Sequence, residues 1–212
     1  AFCEDKVVQI YADKDVLYNA DGNPQLLASN RVLGQSRAFV GDYGISKDPA
    51  SFAKESYRAY FTDKQRGAVI RLSKDGLTPI SDVGMHDFFR DNLNQGNFNL
   101  IGSYDNYKKE YNLTIDNGPK LWGQHSTPPR NFNHLGTGIG GGTSSNPDSA
   151  TVSFSEDVKG WTSFKSFIQE SGVSMAGNYY TFYNGMCYKH YDNQDRNYFY
   201  DLTAQVSSRT TV

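Results

Sequence analysis

Residues 56–81, SYRAYFTDKQRGAVIRLSKDGLTPIS, contain two runs in which apolar and polar side chains alternate, followed by a shorter third run. A polar turn near Gln65-Arg66-Gly67 separates the first two runs, and Asp75-Gly76 follows the second. Alternation with a period of two is typical of a half-buried β-strand. Asp-Gly favours a tight turn because glycine readily adopts positive φ. The stretch therefore predicts a three-stranded antiparallel meander.

The same arrangement of strands and turns recurs in three other places. It is predicted for residues 7–29, 100–123 and 178–202, where Asp-Gly or Asn-Gly again marks turns. The four units follow one another at irregular intervals of about 40 to 70 residues, and the shorter interval is that of a propeller blade. The sequence therefore predicts an all-β fold of propeller-like antiparallel blades with short helical insertions.

The predicted organisation has three parts: residues 1–124 as a β-blade region with a helical insertion, 125–150 as a Gly-rich loop, and 151–212 as a second β-blade region. The stretch 125–150 is assigned to a loop because Gly, Ser, Thr, Asn and Pro dominate it. In residues 161–172, aromatic residues at helical spacing leave helix and strand both open, and the crowding of aromatic and β-branched residues favours a strand or irregular structure.

Two helical insertions are predicted in the first part. Asp48 followed by Pro49 is typical of the start of a short helix. Residues 81–93 predict a second helix with Ser81 or Asp82 as its N-cap. Its apolar positions fall near one helical face and are Val83, Phe88, Phe89 and Leu93.

The overall charge excludes some classes of partner. The formal net charge of the 212 residues is −2, so the chain has no basic field to attract duplex nucleic acid or an anionic membrane. No apolar run approaches the roughly 18 residues of a membrane span. The two cysteines, Cys3 and Cys187, have no metal-ligand spacing and are predicted to be unpaired thiols in a reducing compartment.

Motifs for small-molecule chemistry are weak. Gly136 to Gly142 do not follow a strand or open a helix, as a dinucleotide-binding loop would require. His125 and His134 share the Gly-rich loop, so a zinc site there is an alternative to two solvated imidazoles, which we favour. His86 and His190 are expected to be surface or half-buried imidazoles. No cofactor is predicted.

Aspartates cluster at the predicted turns. Asp63, Asp75 and Asp105 are each at or next to one, where a carboxylate can accept hydrogen bonds from nearby amides. A paired-carboxylate glycosidase is the weaker alternative. SKDGLTPIS (73–81) and SEDVKGWTS (155–163) partly resemble the Asp-box of sialidase propellers. Tyrosines crowd residues 179–200, where cross-strand packing competes with a surface that stacks on sugars.

Two longer stretches carry a resemblance to known proteins. The first covers residues 30–93 and continues in IGSYDNYKKEYNLTI (101–115). The second, residues 151–200, has W-x-S-F-x-S-F from Trp161, Y-Y-T-F-x-N-G from Tyr179 and R-N-x-F-Y from Arg196. This ordered pattern resembles virion structural proteins of tailed bacteriophages, among them large tail proteins of crAss-like and marine phages.

The resemblance implies an architectural protein of the virion, assembled in the host cytoplasm, and implies no catalytic residue. Such a chain would be one part of a larger tail polypeptide in a tail, nozzle or baseplate-type assembly. We expect contacts with other virion tail proteins and a homo-oligomeric ring. The alternatives are a propeller that binds a host surface glycan and, less favoured, a sialidase-like hydrolase. Interface residues are predicted at Met85, His86, Phe88, Phe89, His125 and His134.

Overall fold

The chain folds into antiparallel β-sheets, as a computed structural model describes for residues 1–12, 16–18, 24–26, 33–94, 99–116, 149–165, 167–192, 194 and 200. Among these residues strands predominate, and α1 (His86–Leu93) and the 3₁₀ turn η1 (Pro49–Ser51) are the helical elements. The predicted all-β class is confirmed. His125 and His134, and all but the end of the Gly-rich loop, lie outside the described residues.

Sheet I is a meander formed around residues 56–81. Its strands pair in chain order and are β5 (Ala53–Lys54), β6 (Ala59–Asp63), β7 (Ala68–Ser73) and β8 (Gly76–Pro79). Gly67 and Gly76 take the positive φ values of 61° and 103° that the turns require. The predicted three-stranded unit is therefore confirmed, and β5 adds a fourth strand in front of it.

Sheet II repeats this arrangement. Its strands also pair in chain order and are β9 (Asn99–Asp105), β10 (Glu110–Asp116), β11 (Ala150–Ser155) and β12 (Gly160–Lys165). Ile115 is paired with Ala150, so the partner of β10 comes from beyond the Gly-rich stretch. The strand predicted at 119–123 lies outside the described residues, whereas the strand favoured after residue 161 is confirmed. Sheet II combines strands from both predicted β-blade regions.

Sheet III follows directly. It contains β13 (Ser171–Met175), β14 (Asn178–Tyr183) and β15 (Met186–Lys189), paired in that order. Its two hairpins have two-residue turns, Ala176-Gly177 and Asn184-Gly185, with φ between 50° and 75° at all four positions. Positive φ at both central residues identifies type I′ turns, which match the twist of the flanking strands. The predicted turn at Asn184-Gly185 is confirmed.

The N-terminal strands pair differently from the predicted meander. β1 (Val8–Ala12) pairs with β4 (Leu33–Ala38), and β2 (Val16–Tyr18) pairs with β3 (Pro24–Leu26). The predicted meander, in which β1 would pair with β2, was therefore wrong, while its predicted turn at Asp13-Lys14 lies outside the described residues. The β2–β3 hairpin is instead inserted between two strands that pair with each other.

Sheets I and II pack face to face through an apolar layer. Tyr60 of sheet I stacks between the rings of Tyr104 and Tyr111, with centroid separations of 5.7 and 4.9 Å. The other face of sheet I, which includes Phe61 and Ile70, is covered by N-terminal residues. The buried core between the sheets includes Ala53, Val69, Ile80, Leu100, Leu113, Ile115, Val152 and Phe154.

The opposite face of sheet II is polar and nevertheless buried. Asn112, Thr114, Thr151 and Ser153 are completely buried on it. Most of their hydrogen bonds are to one another. The hydroxyl oxygens of Thr114 and Thr151 are 2.6 Å apart, and the Ser153 hydroxyl donates to the Asn112 side-chain oxygen at 2.6 Å. On the same face, the Ser103 hydroxyl donates a hydrogen bond to the side-chain oxygen of Gln169, a residue that precedes sheet III in the chain. Sheet III therefore joins sheet II through hydrogen bonds more than through apolar contacts.

Helix α1 begins later than predicted. Gly84 has φ of 74°, a left-handed conformation that cannot continue a helix, and Met85 occupies the N-cap. The prediction of Ser81 or Asp82 as N-cap was therefore wrong, and Val83 lies before the helix with 47% of its side chain exposed. The short helix predicted after Asp48 is confirmed as η1, although the Asp48 side chain makes no capping bond.

The cysteines and the helices bear on two of the predictions. Cys3 and Cys187 are both exposed free thiols, as predicted. In the part of the chain that the structure describes, no helix has the length and apolar character required to span a bilayer.

Candidate functional site

A groove lies where the first strands of the three sheets meet. Among the described strands, β5, β9 and β13 each pair with a single neighbour, so each has one edge outside the strand ladders. The groove has a volume of about 240 Å³ and is lined by residues 52–54, 102–104, 106 and 172–174. Unpaired strand edges present main-chain donors and acceptors, so this groove offers hydrogen-bonding groups to whatever occupies it.

Two strand glycines bring these edges together. A Cβ built on Gly102 would lie 1.9 Å from the carbonyl oxygen of Ser51, and one built on Gly172 would lie 2.7 Å from the Cβ of Ser103. Any larger residue would push η1 away from β9, or β13 away from β9. An isolated glycine in a strand often marks such a close backbone approach.

Ser174 connects β13 to β9 across the groove. Its hydroxyl accepts a hydrogen bond from the Asn106 amide at 2.9 Å and donates to the Tyr104 carbonyl at 2.8 Å. The edges of sheets II and III are therefore joined by a side chain rather than by a continuous ladder. Burial, and more weakly the negative charge of Glu55, raises the pKa of the Tyr104 hydroxyl to about 12, so Tyr104 stays neutral.

The turn aspartates act on their own backbone. Asp63 accepts hydrogen bonds from the amides of Arg66 at 3.1 Å and Gly44 at 3.2 Å, and its carboxylate pairs with the Arg66 guanidinium at 2.9 Å. Asp105 likewise ends a strand before a hairpin turn, β9 of sheet II, and accepts hydrogen bonds from the amides of Tyr107 and Lys108. Both carboxylates are fully buried and engaged. The local hydrogen-bonding role predicted for them is confirmed.

Beside the groove, Tyr107 and Tyr191 form what we call the tyrosine platform. The two rings stack with a centroid separation of 5.1 Å and an interplanar angle of 29°, and the Lys108 ammonium lies 5.1 Å from the centre of the Tyr191 ring. Tyr107 is 66% exposed and Tyr191 is 45% exposed. The Tyr191 hydroxyl donates to the Asp105 carboxylate, and burial together with this bond raises its pKa.

A second polar cluster is enclosed between sheets I and II. Glu156 accepts a hydrogen bond from the Tyr60 hydroxyl at 2.7 Å and pairs with Arg71 at 3.0 Å. Arg58 lies 3.7 Å from the same carboxylate and pairs with Glu55 at 3.0 Å. Tyr60 is completely buried, and burial and Glu156 raise its pKa. Glu156, in the turn between β11 and β12, thus contacts Tyr60 and Arg71 of sheet I, so this cluster holds the two sheets together.

Sheet III has its own buried polar centre. Thr181 lies 2.6 Å from the His190 Nε2 and 2.9 Å from the Tyr200 hydroxyl. Burial first, and then the positive charge of Lys165, lowers the pKa of His190 to about 4. His190 was expected to be a surface or half-buried imidazole, and the structure buries it almost completely.

Of the residues predicted as an interface, the structure describes Met85, His86, Phe88 and Phe89, and these four differ in exposure. His86 and Met85 lie at the start of α1, with His86 exposed and Met85 packed on the main core. Phe88 is half-buried against Phe164, and Phe89 is completely buried. Phe89 has no surface to offer a partner because the core encloses it.

Sequence reasoning missed the groove and the platform. The groove is formed by three strands that are far apart in the sequence. Gly102 and Gly172 were the local sequence features that could have indicated the close approach of these strands. Among the described residues, no group of three or more His, Cys, Asp or Glu side chains is arranged to hold a metal ion. No protein-family model matches the chain, and no curated protein matches it significantly.

Proposed function

We propose that the chain is a structural component of a tailed-phage virion, in a tail, nozzle or baseplate-type assembly, and acts through contacts with other proteins. The sequence resemblance over residues 30–115 and 151–200 suggests the class of protein. The observation that carries the architectural part is the stacking of sheets I, II and III in chain order, with their first strands facing one groove.

In this proposal the three sheets are propeller blades. Blades of a propeller are four-stranded meanders arranged around a central channel. Sheets I and II have four strands each, and β5, β9 and β13 occupy the inner position around the groove. Three blades fall below the usual number in a closed ring, so further blades would come from neighbouring chain or from other subunits.

The outer face of sheet III is the surface proposed to meet a neighbour. Ser174 and Tyr179 point toward sheet II, so Val173 and Met175 point away from it. Val173 is 45% and Met175 is 62% exposed. Exposed apolar side chains on the third of the described sheets suit a contact with another subunit, and a repeated contact of this kind can close into a ring.

The proposed assembly can be tested with the purified full chain. Native mass spectrometry and negative-stain microscopy are expected to detect a closed homo-oligomeric ring. Met175→Asp places a charge in the contact and is expected to release monomers. Val158→Asp changes a side chain that is 67% exposed at a turn of sheet II, and is expected to leave the ring intact. A monomer at every concentration, or equal behaviour of both variants, would contradict the proposed contact.

Placement in the virion requires a separate experiment. Cryo-electron microscopy of intact particles that encode this chain is expected to reveal its three stacked sheets in a ring of tail density. Absence of this density from complete particles would contradict a virion role. Hydrolysis of a sialoside by the pure chain would favour the sialidase-like alternative.

A further inference from the structure

The tyrosine platform is exposed, and one buried carboxylate contacts both of the segments that carry it. The buried Asp105 carboxylate accepts hydrogen bonds from the Tyr107 and Lys108 amides at 2.9 and 3.2 Å, and also from the Tyr191 hydroxyl. Tyr191 has φ of 64°, which residues with a Cβ rarely adopt. Unfavourable backbone conformations that persist are frequent at binding sites. One carboxylate thus bonds the backbone of Tyr107 and the hydroxyl of Tyr191, and the two exposed rings stack on each other.

The surroundings of the platform favour a small polar ligand over a protein. Asn106, next to Tyr107, lines the groove together with Lys54, and both side chains are exposed. The groove volume of about 240 Å³ is slightly below the usual range for small-molecule pockets. A stable protein contact would instead cover roughly 800 Å² on each partner. An open aromatic face beside a narrow groove with an amide and an ammonium suits one or two sugar rings.

We propose that the Asn106 end of the groove binds a glycan, with one pyranose ring stacked on the exposed face of Tyr107. The C–H face of the sugar would cover the ring, and its hydroxyls would bond to Asn106 and the groove. Tyr191 supports Tyr107 from behind. Lys108, which forms no ion pair among the described residues, would contact a carboxylate on an acidic sugar. This activity goes beyond the architectural role and does not depend on it.

The test titrates the full-length chain with two defined oligosaccharides, neutral maltohexaose and acidic hexagalacturonate. Saturation-transfer NMR and calorimetry are expected to detect binding, with the acidic sugar bound more tightly at low salt. Tyr107→Ala is expected to weaken binding about tenfold because it removes the stacking contact. Tyr107→Phe keeps the ring and is expected to retain binding. Lys108→Gln is expected to reduce only the preference for hexagalacturonate.

Tyr57→Ala is the matched control, because Tyr57 is 86% exposed on the surface before β6. It is expected to bind both sugars as the parent chain does. Thermal unfolding of each variant establishes that the fold is retained. Failure of both sugars to bind at about 5 mM, or equal weakening by Tyr57→Ala and Tyr107→Ala, would overturn the proposal. Ring assembly is measured separately, so either proposal can fail alone.

Discussion

At the scale of single residues, the structure assigns most of the distinctive side chains to its own architecture. Asp63 and Asp105 hold turns, Glu156 joins two sheets, and Gly102 allows β9 to approach η1. The roles of the two aspartates could be predicted because the hydrogen bonds are local in sequence. Glu156 acts on residues far along the chain, so its role had no local signature. An isolated strand glycine such as Gly102 indicates a close approach but not which residue makes it.

Gly102 provides a sharp test of the close approach. Gly102→Ala would place its Cβ 1.9 Å from the Ser51 carbonyl oxygen, and we expect it to destabilise the fold by about 1 to 3 kcal/mol through forced backbone shifts. Gly160→Ala is the control, since its nearest contact is 3.8 Å away. Urea unfolding measures both free energies. Equal stability of the two variants would mean that the approach is not as tight as the structure has it.

The lowered pKa of His190 predicts how the free energy of unfolding depends on pH. Its pKa is lowered to about 4 in the fold, whereas an ordinary histidine has a value near 6.5. The unfolded chain therefore binds the proton first, so this contribution to stability is full above about pH 6.5 and is lost as the pH falls toward 4. The loss is of the order of 2 to 3 kcal/mol.

His190→Gln keeps a polar side chain and removes the titration. Chemical unfolding measured at intervals between pH 7 and pH 4 is expected to give a shallower decline for this variant than for the parent chain. Parallel curves for the two proteins would contradict the assignment of that part of the pH dependence to His190.

At the scale of elements, local turn chemistry was predictable and strand pairing across long connections was not. Asn184-Gly185 and Asp75-Gly76 identified hairpins because their conformations require residues that tolerate positive φ. The pairing of β1 with β4 was missed because an inserted hairpin separates the two strands. The burial of the polar face of sheet II was also missed, since alternation normally indicates one solvent-exposed face.

The two type I′ turns of sheet III allow an element-scale prediction. Ala176 and Asn184 occupy the same first turn position with φ of 50° and 52°. Asparagine tolerates this conformation better than alanine. Ala176→Asn is therefore expected to stabilise the chain, and Asn184→Ala to destabilise it, each by about 0.5 to 1 kcal/mol. Thermal unfolding measures the shifts, and shifts of the same sign would contradict the turn assignment.

At the scale of the whole molecule, sheet II is joined by different forces on its two faces. The contact with sheet I is mainly aromatic and apolar, and it encloses the Glu156 cluster at one end. The contact with sheet III is made by hydroxyl, amide and carbonyl groups. Since polar contacts require more precise geometry than apolar ones, sheet III is expected to separate from the stack before sheet I does.

Glu156 tests the joint between sheets I and II. Glu156→Gln leaves Arg71 and Arg58 without their shared carboxylate in a site where Glu156 is 9% exposed. We expect a loss of roughly 1 to 3 kcal/mol, because the largely buried Arg71 loses its partner whereas Arg58 keeps Glu55. Asp157→Asn alters the neighbouring but exposed carboxylate and is expected to change stability by less than about 0.5 kcal/mol. Similar losses in both variants, measured by denaturant unfolding, would contradict a buried joint.

The pairing of Ile115 with Ala150, at the two ends of a long connecting segment, has a practical consequence. β10 ends and β11 begins as paired neighbours in sheet II. The sheet therefore sets the distance between the two ends of the connecting segment, whatever the length of that segment. Closing a loop costs only about 0.6 kcal/mol more for each doubling of its residues. Insertion of a foreign peptide or a whole domain between these strands is therefore expected to reduce the stability of the fold only slightly. This site is the natural place to attach a reporter or to display cargo.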